Sequence, residues 1–123
     1  MRFTDDEERM ILDRPALTPE VVRVARACYA ESGRHYHDWT HALSVLSWVN
    51  HVCDAFAEAQ LEPFTHWDLR LAALIHDAVY TAQGSPFNEA DSAELLVETV
   101  GANAHRSTRI IMATAEHGKL EAE

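Results

Sequence analysis

Apolar residues recur every three or four positions along most of the chain, which is the spacing of an amphipathic helix. Strand-like alternation of apolar and polar residues is absent from the sequence. Prolines and glycines fall between the periodic stretches, where they are typical of helix boundaries. The pattern predicts six helices, at about residues 5–13, 18–32, 38–60, 65–80, 88–100 and 103–117. We therefore expect a single all-α domain, a helical bundle of five to six helices.

Hydroxyl and amide side chains mark where these helices begin. A side chain of this kind accepts a hydrogen bond from a backbone N–H group in the first turn. Such residues precede four of the predicted helices: Thr4, Thr18, Thr65 and Asn88. Gly118 is expected to end the sixth helix, because glycine readily adopts the conformation of a helix C-terminus.

Length and charge exclude several classes of function. The chain has 123 residues, which suffice for one domain with its own core. Twenty acidic residues against ten basic ones give a net charge of −10, so neither a nucleic acid polymer nor an anionic membrane is an expected partner. The sequence shows no signal peptide and no apolar run that could cross a membrane, which predicts a cytoplasmic protein. We expect Cys28 and Cys53 to be buried, reduced thiols.

The fourth predicted helix carries polar residues in an apolar setting. Between Leu69 and Val79 only Arg70, His76 and Asp77 are polar. Burying an ionised aspartate is costly unless it is paired or binds a cation. His76 and Asp77 are therefore expected either to pair with neighbouring side chains or to bind a metal ion.

The third predicted helix offers a partner for them. His37 and His41 are four residues apart, so they share a face at a spacing of about 6 Å along the axis. His41 falls on one stripe with Val45, Trp48 and Val52 and is predicted to point inward. A lone inward histidine is usually a hydrogen-bonded core residue, whereas two histidines on one face are better metal geometry.

The last two predicted helices add further ligand-competent side chains. Glu89 shares a stripe with Leu96, and His117 shares one with Ile110, so both are expected to face inward. Their simpler roles are favourable charges at the ends of helices, and the simpler role of Asn88 is a cap. Taken together, imidazole and carboxylate groups suit zinc, manganese, iron, cobalt or nickel better than calcium.

Four motifs carry these side chains in order: RHYHDWTH (34–41), LAALIHDAVY (71–80), NEADSA (88–93) and TAEH (114–117). The set resembles the HD-domain superfamily and, more narrowly, small bacterial proteins predicted to be metal-dependent hydrolases of that superfamily. The resemblance covers about Gly33 to His117. It implies an α-helical bundle around a divalent metal ion, which His41, His76 and Asp77 would hold.

Two features depart from the superfamily pattern. The pattern closes with an aspartate downstream of the TAEH motif, and no aspartate follows Asp91 here. Either the chain lacks C-terminal helices that longer relatives have, or Glu116 or Glu121 takes that place, or the site is incomplete. Several HD phosphohydrolases carry an acid about one turn after the doublet, where residues 79–81 are VYT in this chain. A general acid or base would then come from elsewhere, and Glu89 is the best candidate.

The leading hypothesis is metal-dependent hydrolysis of a small phosphorylated compound such as a nucleotide. Glu89 would accept the proton of the attacking water or orient that water, and Asn88 would position a ligand or a group that contacts one. His37, Arg34 and His117 would bind phosphate oxygens, or the two histidines a second metal. The alternatives are a non-catalytic metal- or nucleotide-binding module, and a purely structural bundle with an exposed apolar face. The sequence names neither substrate nor metal and leaves a homo-oligomer open.

Overall fold

A computed structural model of the chain describes residues 2–31, 38–56, 65–80 and 87–122, with side chains through residue 114. Within these ranges the chain forms α-helices and no strand, which confirms the predicted all-α bundle. The described helices are α1 (Asp5–Leu12), α2 (Pro19–Tyr29), α3 (Trp39–Ala55), α4 (His66–Ile75), α5 (Phe87–Val100) and α6 (His105–Ala122). None of them is both long and apolar enough to span a membrane.

The predicted helix starts at three threonines are confirmed. Thr4 and Glu7 form a reciprocal capping box, with hydrogen bonds of 3.1 Å and 2.9 Å between side chain and backbone. Thr65 forms a second box with Asp68 at the start of α4, and Thr18 accepts a hydrogen bond from the first turn of α2. Each cap satisfies a backbone N–H group that would otherwise lack a partner and stabilises its helix by about 1 kcal/mol.

Other predicted helix boundaries are wrong. α3 ends at Ala55 rather than near residue 60, and α4 ends at Ile75 rather than near residue 80. α5 begins at Phe87, so Asn88 lies inside the helix and is not its cap. α6 continues to Ala122, so Gly118 does not end it, because glycine permits a C-terminal turn without requiring one.

Helix α4 lies at the centre of the bundle, where α3, α5 and α6 contact it. Every residue from Arg70 to Ile75 is buried, which confirms the prediction drawn from a helix apolar almost all round. The predicted burial of the two cysteines is correct for Cys53, whereas Cys28 is half-buried.

Apolar residues repeat at three and four positions along α3, from Ala42 to Phe56, and this spacing predicts a buried stripe that the structure bears out only in part. Ala42, Leu46 and Cys53 are buried, but Trp48 and Phe56 are 68 % and 51 % exposed. The buried face is rotated towards α4, and the valines of the stripe are left half-buried at its edge: Val45, Val49 and Val52. His41 therefore lies at the margin of the core rather than inside it.

A polar network ties α4 to the N-terminal part of the chain. The buried guanidinium of Arg70 donates to Asn50 over 2.7 Å and to Asp54 over 3.2 Å. The Asn50 amide in turn donates to the carbonyl of Ile11 over 3.0 Å. Arg14 forms two hydrogen bonds with Asp54 and, together with Arg70, lowers the pKa of that carboxyl group. The network fixes α1 and α3 against the helix that leads into the candidate site.

Candidate metal centre

His41, His76 and Asp77 come together at one end of α4. One donor atom from each residue lies within 4.8 Å of the other two. The carboxylate oxygen Oδ2 of Asp77 is 3.2 Å from Nε2 of His76 and 3.8 Å from Nε2 of His41. The three side chains are 17–23 % exposed, so a small ligand can reach a group that is otherwise covered by protein. The structure thus unites the three residues that the sequence motifs single out for a metal.

The end of α4 explains how two adjacent residues reach the same point. In a continuing helix their side chains would point about 100° apart. Here His76 is the C-terminal cap of α4, and its N–H group donates to Ala72 over 2.9 Å. Asp77 lies in the turn that follows, which the Ala78 N–H closes onto the carbonyl of Ile75. Asp77 lies in this turn rather than in the helix, and its carboxylate is 3.2 Å from Nε2 of His76.

Tyr29 on α2 stabilises this turn through two hydrogen bonds. Its buried hydroxyl donates to the carbonyl of Leu74 over 2.9 Å and accepts from the N–H group of Asp77 over 3.3 Å. Tyr29 is not among the residues predicted for the site. The available signal was a tyrosine on an apolar stripe, since a buried hydroxyl requires a hydrogen-bond partner.

His41 is positioned by the start of α3. Asp38 caps this helix, and its carboxylate accepts a hydrogen bond from the backbone N–H of His41 over 2.9 Å. Trp39 fixes the same turn against the N-terminal helices. Its indole N–H donates to Glu8, and the guanidinium of Arg26 lies 5.1 Å from its ring. The first turn of α3 is thereby held in place beside the end of α4.

The His76 ring is oriented for coordination through Nε2. Its Nδ1 is 2.9 Å from the carbonyl of Ala73, which can only accept, so Nδ1 carries a proton. Nε2 then faces the Asp77 carboxylate, and this arrangement requires either a second proton on the ring or a cation between the two groups. Burial lowers the pKa of His76, but hydrogen bonds to Asp77 and Ala73 and the charges of Asp77 and Glu89 raise it above its usual value.

Glu89 reaches this region from the first turn of α5. Its negative charge is one of the causes that raise the pKa of His76. Its oxygen Oε2 is buried and has no hydrogen-bond partner in the part of the chain that the structure describes. A buried carboxylate oxygen without a partner is costly, which is typical of an atom that serves a ligand, a water molecule or a cation.

The neighbouring residues of α5 anchor the site. Asn88 is buried. Its predicted role of positioning a ligand stays a prediction. Ser92, one turn further along, accepts a hydrogen bond from the N–H group of Val79 over 3.0 Å. It therefore ties α5 to the turn that carries Asp77. Ser92 belongs to the NEADSA motif but is not among the residues predicted for the site.

The other predicted site residues are not placed by the structure. Arg34 and His37 lie outside the described residues, as do the side chains of Glu116, His117 and Glu121. Their predicted contacts with phosphate, with a second metal or with the first metal as a substitute acid remain predictions.

Comparison of the chain with protein-family models, curated proteins and solved structures gave no match. Function is therefore inferred from the chemistry of the cluster and from the sequence motifs that contain it.

Proposed function

We propose that this chain is a metal-dependent hydrolase of the HD type that acts on a small phosphorylated compound. The observation that supports the proposal is the cluster of two imidazoles and one carboxylate, brought within 4.8 Å by the start of α3 and the end of α4. Such a cluster joins side chains that are distant in sequence and is partly open to solvent. Both properties favour a binding site over a surface ion pair.

The donor set fits a divalent transition metal. Two histidine nitrogens and one carboxylate oxygen suit zinc, manganese, iron, cobalt or nickel. Three protein ligands leave positions for water and substrate, which distinguishes catalytic sites from closed structural ones. The bond from Nδ1 of His76 to Ala73 fixes the tautomer that leaves Nε2 available, as is usual for metal-binding histidines.

A divalent cation in this centre would supply Lewis acidity, which makes water a stronger acid and neutralises the charge of phosphate oxygens. The chain's own groups would do the rest. The buried Oε2 of Glu89 would accept the proton of the attacking water or orient that water. Asn88 would hold the ligand, and Tyr29 would keep the Asp77 backbone in position.

The experiment that tests the proposal is metal analysis by elemental mass spectrometry on protein purified without a chelator or an affinity tag. We expect near-stoichiometric metal in the parent chain and none in His76→Ala or Asp77→Ala. The matched control is His51→Ala, since His51 is an exposed histidine on α3 that stacks on Trp48. A panel of phosphate esters is then assayed with the metal found. Parental metal content and hydrolytic rate in the two site variants would contradict the proposal.

A second candidate function is a metal- or nucleotide-binding module without turnover. In the described part of the chain the cluster contains three ligand residues, whereas the superfamily pattern adds a closing aspartate. An incomplete set of ligands favours binding without catalysis. Tight binding of a phosphate compound by the metal-loaded protein, with no product from any ester, would identify this function instead.

A further inference from the structure

A cavity of about 170 Å³ lies directly beside the candidate metal centre. Val45 and Val49 of α3 form one wall and Ile110 of α6 the other, with Ala72 of α4 between them. His76 lies at the edge of this cavity. Because Nε2 of His76 also faces Asp77, the same residue borders both the cavity and the candidate metal centre.

The described lining of the cavity is almost entirely apolar. Its polar members are His76 and Thr114, and the Thr114 hydroxyl already donates to the carbonyl of Ile111 over 2.6 Å. A phosphate group or a sugar would lose its hydrogen bonds to water there and gain few in return. An apolar group would lose none, and its transfer from water into the cavity is favourable.

The volume of the cavity limits the size of the group that it can bind. An apolar cavity of about 150 Å³ stays dry and binds a molecule as small as benzene. The present cavity has a similar volume and is partly open to solvent, so one ring or a short branched chain fits in it.

We propose, on the basis of the proposed function, that this cavity binds the uncharged part of the substrate while the phosphate group binds at the metal centre. The substrate class is then a phosphate ester of a small apolar alcohol or phenol. The ring or branched chain lies close to the phosphate group, since one His76 side chain borders both sites. A sugar phosphate does not fit this description.

The first test compares two non-hydrolysable probes on the metal-loaded protein by calorimetry. Phenylphosphonate is expected to bind about tenfold or more tightly than methylphosphonate, because a well-filled apolar pocket discriminates by this order. Val49→Phe fills the cavity and should abolish the difference. The control Val97→Phe places the same ring on α5, where Val97 is 44 % exposed, and should preserve it.

A second variant guards against misfolding of Val49→Phe. Thr114→Phe adds a ring at an exposed position on the rim of the cavity, and it should also remove the preference for phenylphosphonate. Equal affinities of the parent chain for the two phosphonates would overturn the inference, as would loss of the preference in Val97→Phe. Sedimentation tests whether a second copy of the chain fills the cavity instead. A parent chain that sediments as a dimer, with Val49→Phe as a monomer, would show this and would also overturn the inference.

A metal-independent measurement separates this inference from the proposed function. Toluene added to the metal-free protein should shift the methyl NMR signals of Val45, Val49 and Ile110, and not that of Val97. Absence of these shifts in a protein that binds metal would contradict the inference and leave the proposed function standing. Shifts with toluene, but no binding of either phosphonate by the protein mixed with metal, would contradict the proposed function and retain the apolar site alone.

Discussion

The hydroxyl of Tyr29 accepts a hydrogen bond from the backbone N–H of Asp77 while it donates to the carbonyl of Leu74. One side chain of α2 therefore satisfies backbone groups on both sides of the point where α4 ends. The position of the Asp77 carboxylate, and hence the spacing of the candidate metal centre, therefore depends on a residue of α2.

Tyr29→Phe is expected to weaken metal binding as well as stability. It removes both hydrogen bonds and leaves buried backbone groups without a partner, which costs about 1–3 kcal/mol. Urea unfolding and a metal competition titration measure the two effects. Ser107→Ala is the matched control, because the buried Ser107 hydroxyl also donates to a carbonyl of α4, that of Asp68, at the other end of the helix. It should lower stability only, and equal loss of metal affinity in both variants would contradict the role of Tyr29.

The metal-free protein is expected to lose stability as the pH rises through the pKa of His76. This pKa lies above 6.5 in the folded chain, so protonated His76 stabilises the fold fully below that value, and the contribution disappears above the raised pKa. Thermal unfolding across this range checks the prediction. The dependence should flatten in His76→Gln and persist in His51→Ala; an unchanged profile in His76→Gln would refute it.

Metal affinity is expected to change with pH in the opposite direction. A metal ion and a proton compete for Nε2 of His76, so affinity should fall as the pH drops below the raised pKa, and binding should release protons. Calorimetry in buffers of different ionisation enthalpy counts these protons. Binding with no proton release near this pKa would mean that His76 is not a ligand.

Glu89→Gln should separate catalysis from metal binding. The variant retains the shape of the side chain but loses its basicity, so the hydrolytic rate should fall by about 10²-fold or more. The metal content should stay close to that of the parent chain. Asp91→Asn, an exposed position on the same helix, is the control and should leave both quantities unchanged. A parental rate in Glu89→Gln would exclude Glu89 as the general base.

Arg70→Met tests the polar network behind the site. It leaves the buried Asn50 carbonyl oxygen without its donor, at a cost of about 1–3 kcal/mol in the free energy of unfolding. Arg23→Met, which removes an exposed ion pair with Glu20, should change the stability little. Denaturation midpoints in urea compare the two variants, and equal midpoints would contradict the stabilising role of the network.

The features that the sequence predicted well depend on residues that are close together in the chain. The capping box of Thr4 and Glu7 involves residues three positions apart, so the sequence alone contains it. The central position of α4 follows from its apolar composition. The end of α4 was not predictable in this way, because no glycine or proline marks it and the group that stabilises the turn is Tyr29, 48 positions from Asp77.

The candidate site was predictable to a similar extent. The three residues that the family resemblance assigned to a metal, His41, His76 and Asp77, lie within 4.8 Å of one another, and metal binding by them stays a prediction. The periodicity of α3 predicted that His41 points inward, and the structure leaves it half-buried at the margin of the core, because a helical repeat does not tell which of two adjoining faces meets a neighbouring helix. The apolar cavity was not predictable, since three helices contribute its walls.

The centre takes His41 from the start of α3 and Asp77 from beyond the end of α4, and these positions come together only in the folded chain. An ion that requires both would act as a removable cross-link. By mass action it would stabilise the native state in proportion to the logarithm of its free concentration. A chelator would then act as a mild denaturant, and the half-life of the protein in a cell that contains proteases would follow the supply of the ion.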